Sequence, residues 1–248
     1  MAKQSNRGLA ALCLLLLAGT PAMAQAPAAP AAEAVKTPRV AVTRHEGTFG
    51  GQKLRYTATV AESFVSDASG KPAAAATTIA YVREGVRDRA QRPVLFLFNG
   101  GPGASSSPLH MSAMGPFKRT PAPPGDRSGG GWIANPTSPL DVADLVFIDP
   151  VGTGFSRPFP GVDGKAFYST TGDAQAMKGV VQAWLKANGR EASPRYLVGE
   201  SYGTTRAANI VRISKDLTFD GVMLIALAGE TPGREMPYVV SLPTMAAG

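Results

Sequence analysis

Three short, nearly unbroken apolar runs, each closed by a turn rich in small residues, constrain the fold of this 248-residue chain more than any other feature. Val94-Leu95-Phe96-Leu97-Phe98 runs into Asn99-Gly100-Gly101-Pro102-Gly103. Leu145-Val146-Phe147-Ile148 runs into Asp149-Pro150-Val151-Gly152-Thr153-Gly154. Tyr196-Leu197-Val198 runs into Gly199-Glu200-Ser201-Tyr202-Gly203. A strand with one wet face alternates apolar and polar residues, whereas an unbroken run suits a strand buried on both faces, as in a parallel sheet. A fourth such strand is expected over residues 222–227. Met177, Val180, Val181, Trp184 and Leu185 recur at helical spacing, which predicts a helix with one stripe facing a core and Trp184 inside it. A second helix is expected over 204–215. Strand–helix alternation points to an α/β fold with a mostly parallel sheet and flanking helices. Upstream, alternation around Gly50-Gly51 predicts a β-hairpin, and residues 77–82 a further strand. Residues 118–131 read as a loop, and no internal repeat is present.

The segment Gly199-Glu200-Ser201-Tyr202-Gly203 carries the sharpest chemistry. G-x-S-x-G between a strand and a helix is a nucleophile elbow, a turn so tight that the residues two before and two after the serine must lack a Cβ. It lifts the Ser201 hydroxyl above the sheet edge at the positive end of a helix. Acyl transfer builds an oxyanion, which two preorganised backbone N–H donors stabilise, at about 3–4 kcal/mol per donor lost. In such a site one donor is the residue after the nucleophile, here Tyr202, and the other comes from an earlier glycine-rich loop, here Gly101. Asp149 and Ser156, in the third turn, are expected to be structural. A phosphate cradle is excluded there, because no G-K-[S/T] follows.

Composition narrows the setting. The 28 glycines and 21 prolines predict many turns, and 44% hydrophobic content allows a sizeable core. The net charge of +7 is scattered, with no basic run, so a solvated surface is expected and nucleic-acid binding is not. Residues 1–24 read as a signal peptide: Lys3 and Arg7, an apolar stretch over 9–17, and Ala22-Met23-Ala24 before Gln25. The stretch is too short to span a bilayer, so no stable membrane insertion is expected after cleavage. Residues 25–37 form an Ala/Pro-rich linker, and 38–248 a catalytic domain's N-terminal part. Periplasmic or secreted localisation follows as an expectation. The single cysteine, Cys13, lies within the leader, which leaves the mature chain without disulfides or thiol chemistry.

NGGPGASS, DLVFIDPVGTGFS and RYLVGESYG, in that order and at about that spacing, resemble the serine carboxypeptidase family of α/β-hydrolases over roughly residues 75–245, and LPTMAA resembles a segment of bacterial members. The resemblance implies removal of single residues from peptide C-termini through a Ser201 acyl-enzyme, with Gly101 and Tyr202 as the oxyanion hole. It implies that Asn99 and Glu200 hydrogen-bond the substrate's terminal carboxylate, with Gly100 beside them in the substrate site. A glutamic acid facing a carboxylate shares one proton with it, so activity favoured by acid is expected. Peptide is the implied partner, and neither metal nor organic cofactor is required by serine acyl transfer. Two positions depart from many eukaryotic members: Ala113 stands where they carry Glu, and Ala104 where they carry Cys.

Chain order in this fold is Ser, then acid, then His. No histidine follows Ser201; His45 and His110 both precede it. His45 is expected on the surface near the hairpin, and His110 as a loop residue or rim contact. The later acids are Asp216, Asp220, Glu230 and Glu235, of which Glu230 follows directly on the last expected strand. The partner Asp and His, and the last sheet strands, are therefore expected beyond residue 248. A related esterase or acyltransferase and a non-catalytic fragment are the alternatives. The sequence leaves the oligomeric state open.

Overall fold

The structure, a computed structural model, describes residues 37–125 and 130–228. The leader, most of the linker, Glu230, Glu235 and the LPTMAA segment lie outside the described residues.

The hairpin forms as expected. β1 (Val40–Phe49) and β2 (Gln52–Ser66) pair antiparallel and turn at Gly50 and Gly51, whose φ values of 53° and 77° suit glycine. β3 (Pro72–Arg83) extends the strand expected at 77–82 and pairs antiparallel with β2. β4 (Val94–Phe98), β7 (Asp144–Ile148), β9 (Arg195–Glu200) and β10 (Gly221–Ile225) are the four apolar runs. They pair in parallel in the order β7-β4-β9-β10, and β3 joins β7 antiparallel. The two-residue β8 (Arg157–Pro158) pairs with β3. The sheet is thus parallel where the serine sits and antiparallel across the hairpin half. The segment read as a loop is framed by a small ribbon, β5 (Phe117–Arg119) against β6 (Trp132–Ala134).

Every residue of β4 and β7 is buried, which is why neither run alternates. Their pleat divides two cores. Phe96, Phe98, Val146, Ile148 and Leu197 face α1 (Thr170–Ala187) and α2 (Tyr202–Ile213), where they meet Met177, Val181, Trp184, Ala207 and Ile210. Leu95, Leu97, Leu145, Phe147 and Val198 face the other side, covered by Phe49, Leu54 and Tyr56 of the hairpin together with Leu109 and Leu140. Trp184 packs edge-on to Phe96 with ring centroids 5.6 Å apart. α1 starts where the Ser169 hydroxyl accepts from Gly172 N at 3.0 Å, satisfying an orphan amide of the first turn. The second helix ends at Ile213, two residues before the expected limit.

Register places the site. Phe98 lies opposite Gly199 and Leu97 opposite both Val198 and Phe147. Parallel neighbours in register end together, so the turns after β4, β7 and β9 emerge side by side at one sheet edge, where ligands of open α/β sheets bind. The opposite edge is held by ions: the buried Asp144 carboxylate accepts from Arg92 Nε at 2.8 Å and from Arg190 Nη1, and also from Arg83 N at 3.0 Å.

Candidate active site

Ser201 sits between β9 and α2 with φ 57° and ψ −128°, a conformation that L-residues occupy only when the surroundings impose it. The surroundings here are backbone. Ser201 N donates to Ile225 O at 2.9 Å, and Ser201 O accepts from Thr204 N at 2.9 Å and from the Thr204 hydroxyl at 2.7 Å. Ser201 is the N-cap of α2, yet its side chain makes no capping bond. A Cβ on Gly199 would stand 2.2 Å from Gly203 O, and one on Gly203 would stand 2.7 Å from Phe98 O. Both flanking positions therefore have to be glycine, as the elbow pattern requires.

The loop after β4 lies against this elbow. A Cβ on Gly100 would reach within 2.3 Å of Tyr202 N and 2.7 Å of Gly203 N, so the bare Gly100 backbone lies against the amide expected to face an oxyanion. Gly101 takes φ 101° and is followed by a cis bond to Pro102. Asn99 is buried and pinned at three atoms. Its Nδ2 donates to Glu200 Oε2, its Oδ1 accepts from Leu109 N at 2.9 Å, and its carbonyl accepts from Arg206 Nη1 at 2.5 Å. Asn99, Gly100, Gly101, Glu200, Ser201 and Tyr202, distant in sequence, are thus brought together.

Two residues of this site were not read from the sequence. Arg206, on α2, pairs with Asp173, on α1, with Nε to Oδ2 at 2.7 Å. Burial pushes the Asp173 carboxyl above its ordinary range, against the opposing pull of the Arg206 charge and hydrogen bond. A signal existed: Asp173 lies one turn before Met177 on the apolar stripe of α1, and Arg206 one turn before Ile210 on that of α2. Opposite charges on two buried stripes imply a pair. Arg206, Tyr202, Phe167, Tyr168, Pro102 and Val151 are among the residues lining a cavity of about 250 Å³ next to the glycine-rich loop after β4.

The turn after β7 is structural. Asp149 Oδ1 accepts from Ser106 N at 2.9 Å, and the Ser156 hydroxyl donates to Asp149 O at 2.7 Å and accepts from Thr77 N at 2.8 Å. These bonds fasten the segment following the Gly100–Gly103 loop to the sheet.

Neither histidine serves Ser201. His45 is exposed on β1, bonded to the Thr43 hydroxyl at 2.7 Å and stacked on Tyr56. His110 corrects an expectation: it is neither a loop residue nor a rim contact but 4% exposed, within a π-helical turn over Leu109–Met114. Its Nε2 shares a 2.7 Å hydrogen bond with the Tyr81 hydroxyl, and its ring stacks on Phe147 at 4.4 Å. Burial pushes its pKa down to about 4 and that of Tyr81 up to about 12. Leu109, at the start of that turn, packs into the lower core and gives its amide to Asn99, which draws the adjacent His110 inward. Asp216 is exposed and bound to Lys178 and Gln182, and Asp220 Oδ2 accepts from Arg195 N at 2.8 Å. Among the described residues no hydrogen-bond partner holds the Ser201 hydroxyl, and no group of three or more His, Cys, Asp or Glu side chains is placed to bind a metal.

The family model for serine carboxypeptidases matches residues 80–217, more than half of the chain. "Serine carboxypeptidase-like 21" of Arabidopsis thaliana is 31% identical over 146 residues, covering 56% of this chain and 28% of the relative. The pheromone-processing carboxypeptidase kex1 of Pyrenophora tritici-repentis is 36% identical over 140 residues, covering 55% of this chain and 20% of the relative. The chain therefore spans less than a third of either relative's length. Among solved structures, Kex1(delta)p, a prohormone-processing carboxypeptidase from Saccharomyces cerevisiae, superposes with a TM-score of 0.50 at 22% identity, covering 74% of this chain and 38% of that one. That likeness shows the fold, an α/β-hydrolase fold. Through the matched segment, which contains the glycine-rich loop after β4 and the Ser201 elbow, the chain belongs to the serine carboxypeptidase family.

Proposed function

We propose that the protein is a serine-type carboxypeptidase that removes single residues from peptide C-termini. The observation that carries this reading is the strained Ser201 elbow abutting the Gly100 backbone, with the Asn99–Glu200 pair beside it. Ser201 Oγ bonds to the carbonyl carbon of the last peptide bond. The oxyanion takes hydrogen bonds from Tyr202 N–H and Gly101 N–H. The C–N bond then breaks, the leaving amino acid carries away a proton, and water frees the acyl group from Ser201. Asn99, Gly100 and Glu200 receive the substrate's terminal carboxylate, which limits cleavage to the chain end.

The general base and its orienting acid are proposed to come from sequence beyond residue 248, since His45 and His110 are engaged elsewhere. The leader-like N-terminus supports a periplasmic or secreted protein and the LPTMAA sequence one of bacterial type, and no helix among the described residues is long and apolar enough to cross a membrane. The test uses the natively produced protein, an active-site-directed organophosphonate and a blocked dipeptide. Stoichiometric labelling of Ser201 with release of the C-terminal amino acid supports the proposal, and the Ser201→Ala protein should do neither. Hydrolysis of short acyl esters without dipeptide cleavage would favour an esterase instead, and absence of labelling a non-catalytic chain.

A further inference from the structure

Arg206 is 2% exposed, and a guanidinium is tolerated away from water only where its surroundings compensate the lost hydration. Its contacts come from separate parts of the site. Nε binds Asp173 on α1, Nη1 binds the carbonyl of Asn99, and the guanidinium carbon lies 5.2 Å from the Tyr202 ring centre and 5.5 Å from that of Phe98. One side chain thus joins the end of β4, the first residue of the oxyanion loop, the residue after the nucleophile and the first turn of α1.

The bond to Asn99 O has a directional consequence. In a planar trans peptide the carbonyl and the following N–H point in opposite directions. Holding the Asn99 carbonyl toward Arg206 aims the Gly100 N–H away from it. The Asn99 side chain is separately held by Glu200 and Leu109 N, so among the described residues the hydrogen bond that holds the plane of this peptide is the one from Arg206. We propose that Arg206 is a positioning residue that orients the Asn99–Gly100 peptide so that its N–H recognises the terminal carboxylate of the substrate. The inference rests on the carboxypeptidase reading above. Lysine cannot substitute, because one ammonium lacks the planar fork that serves Asp173 and Asn99 O together.

The test compares a blocked dipeptide with the same dipeptide carrying a C-terminal amide, both cleaved at one bond. Two variants are used: Arg206→Lys, which keeps a cation opposite Asp173, and Arg206→Met combined with Asp173→Asn, which leaves no orphaned buried carboxylate. In both, KM for the free-carboxylate dipeptide is expected to rise about tenfold or more, while kcat/KM for the amide changes less than about threefold. Equal losses on both substrates would mean general damage to the site and would overturn the proposal, as would unchanged KM. If the unsubstituted protein cleaves the amide as well as the free dipeptide, the carboxypeptidase reading itself fails, a result obtained before any Arg206 variant is made.

Discussion

Lowering the pH puts the buried His110 under strain, and the size of the effect follows from its surroundings. Stacked on Phe147 and bonded to Tyr81, the imidazole is held neutral, with a pKa of about 4 against an ordinary 6.5. The unfolded chain binds the proton first, so stability from this residue is complete above about pH 6.5 and is lost progressively as pH falls toward 4. At 1.36 kcal/mol per pH unit, the loss approaches about 3 kcal/mol at the acid end. His110→Gln retains a polar group for Tyr81 but removes the titrating ring, at a cost of about 1–2 kcal/mol at neutral pH from the lost stack. Urea unfolding from pH 8 to pH 4, followed by far-ultraviolet circular dichroism, measures both proteins. The carboxyl groups, including Asp173, titrate in both and cancel in the difference. The variant should be the less stable protein at pH 8 and the more stable one near pH 4. Parallel curves would refute the assignment of His110 as a neutral core residue. With His110 held neutral in the core, an enzyme favoured by acid would work against a stability loss from its own core, and its temperature optimum should fall at low pH.

Gly100→Ala should lower kcat about 10²–10³-fold in a dipeptide assay, because the added methyl would stand 2.3 Å from Tyr202 N and displace the proposed oxyanion donor. Asp144→Asn strips the shared carboxylate from the buried Arg92 and Arg190, and should destabilise the protein by about 3–5 kcal/mol in denaturant titrations. Its kcat should hold while the protein is folded, since that network lies at the opposite sheet edge from Ser201. Asn135→Ala removes the donors that cap the carbonyls of Ala113 and Gly115 at 2.7 and 2.9 Å, costing about 1–3 kcal/mol. Hydrogen exchange should report the loss as faster exchange within residues 109–115.

The parts of the molecule legible from sequence are those whose surroundings leave a local trace. β4 and β7 are buried on both faces, so their residues are apolar without alternation, and the eye finds them. The elbow is legible because Gly199 and Gly203 have backbone where a Cβ would go. The π-helical turn over Leu109–Met114 left no such trace: His110 is polar by type, and its burial depends on Tyr81 and Phe147, which belong to other strands. The β5–β6 ribbon was missed because glycine and proline between its short strands resemble loop chemistry throughout. Asp173 and Arg206 carried a faint signal, a charge on each apolar stripe, that becomes meaningful only when the two helices are known to pack on the same face of the sheet.

The α/β class, the core strands β4, β7 and β9, the serine at its elbow and the glycine-rich loop beside it are all written into short stretches of sequence, because each follows from burial or sterics acting within a few residues, whereas β10 reads as an apolar strand yet lies exposed at the sheet edge. The meeting of Asn99 with Glu200, the bridge of Arg206 between Asn99 and Asp173, and the place of His110 in the core without a tie to Ser201 emerge from the folded chain alone. Those pairings depend on the in-register ends of β4 and β9 and on which face each helix covers, and strand order and register are properties of the assembled sheet that no local stretch of sequence encodes.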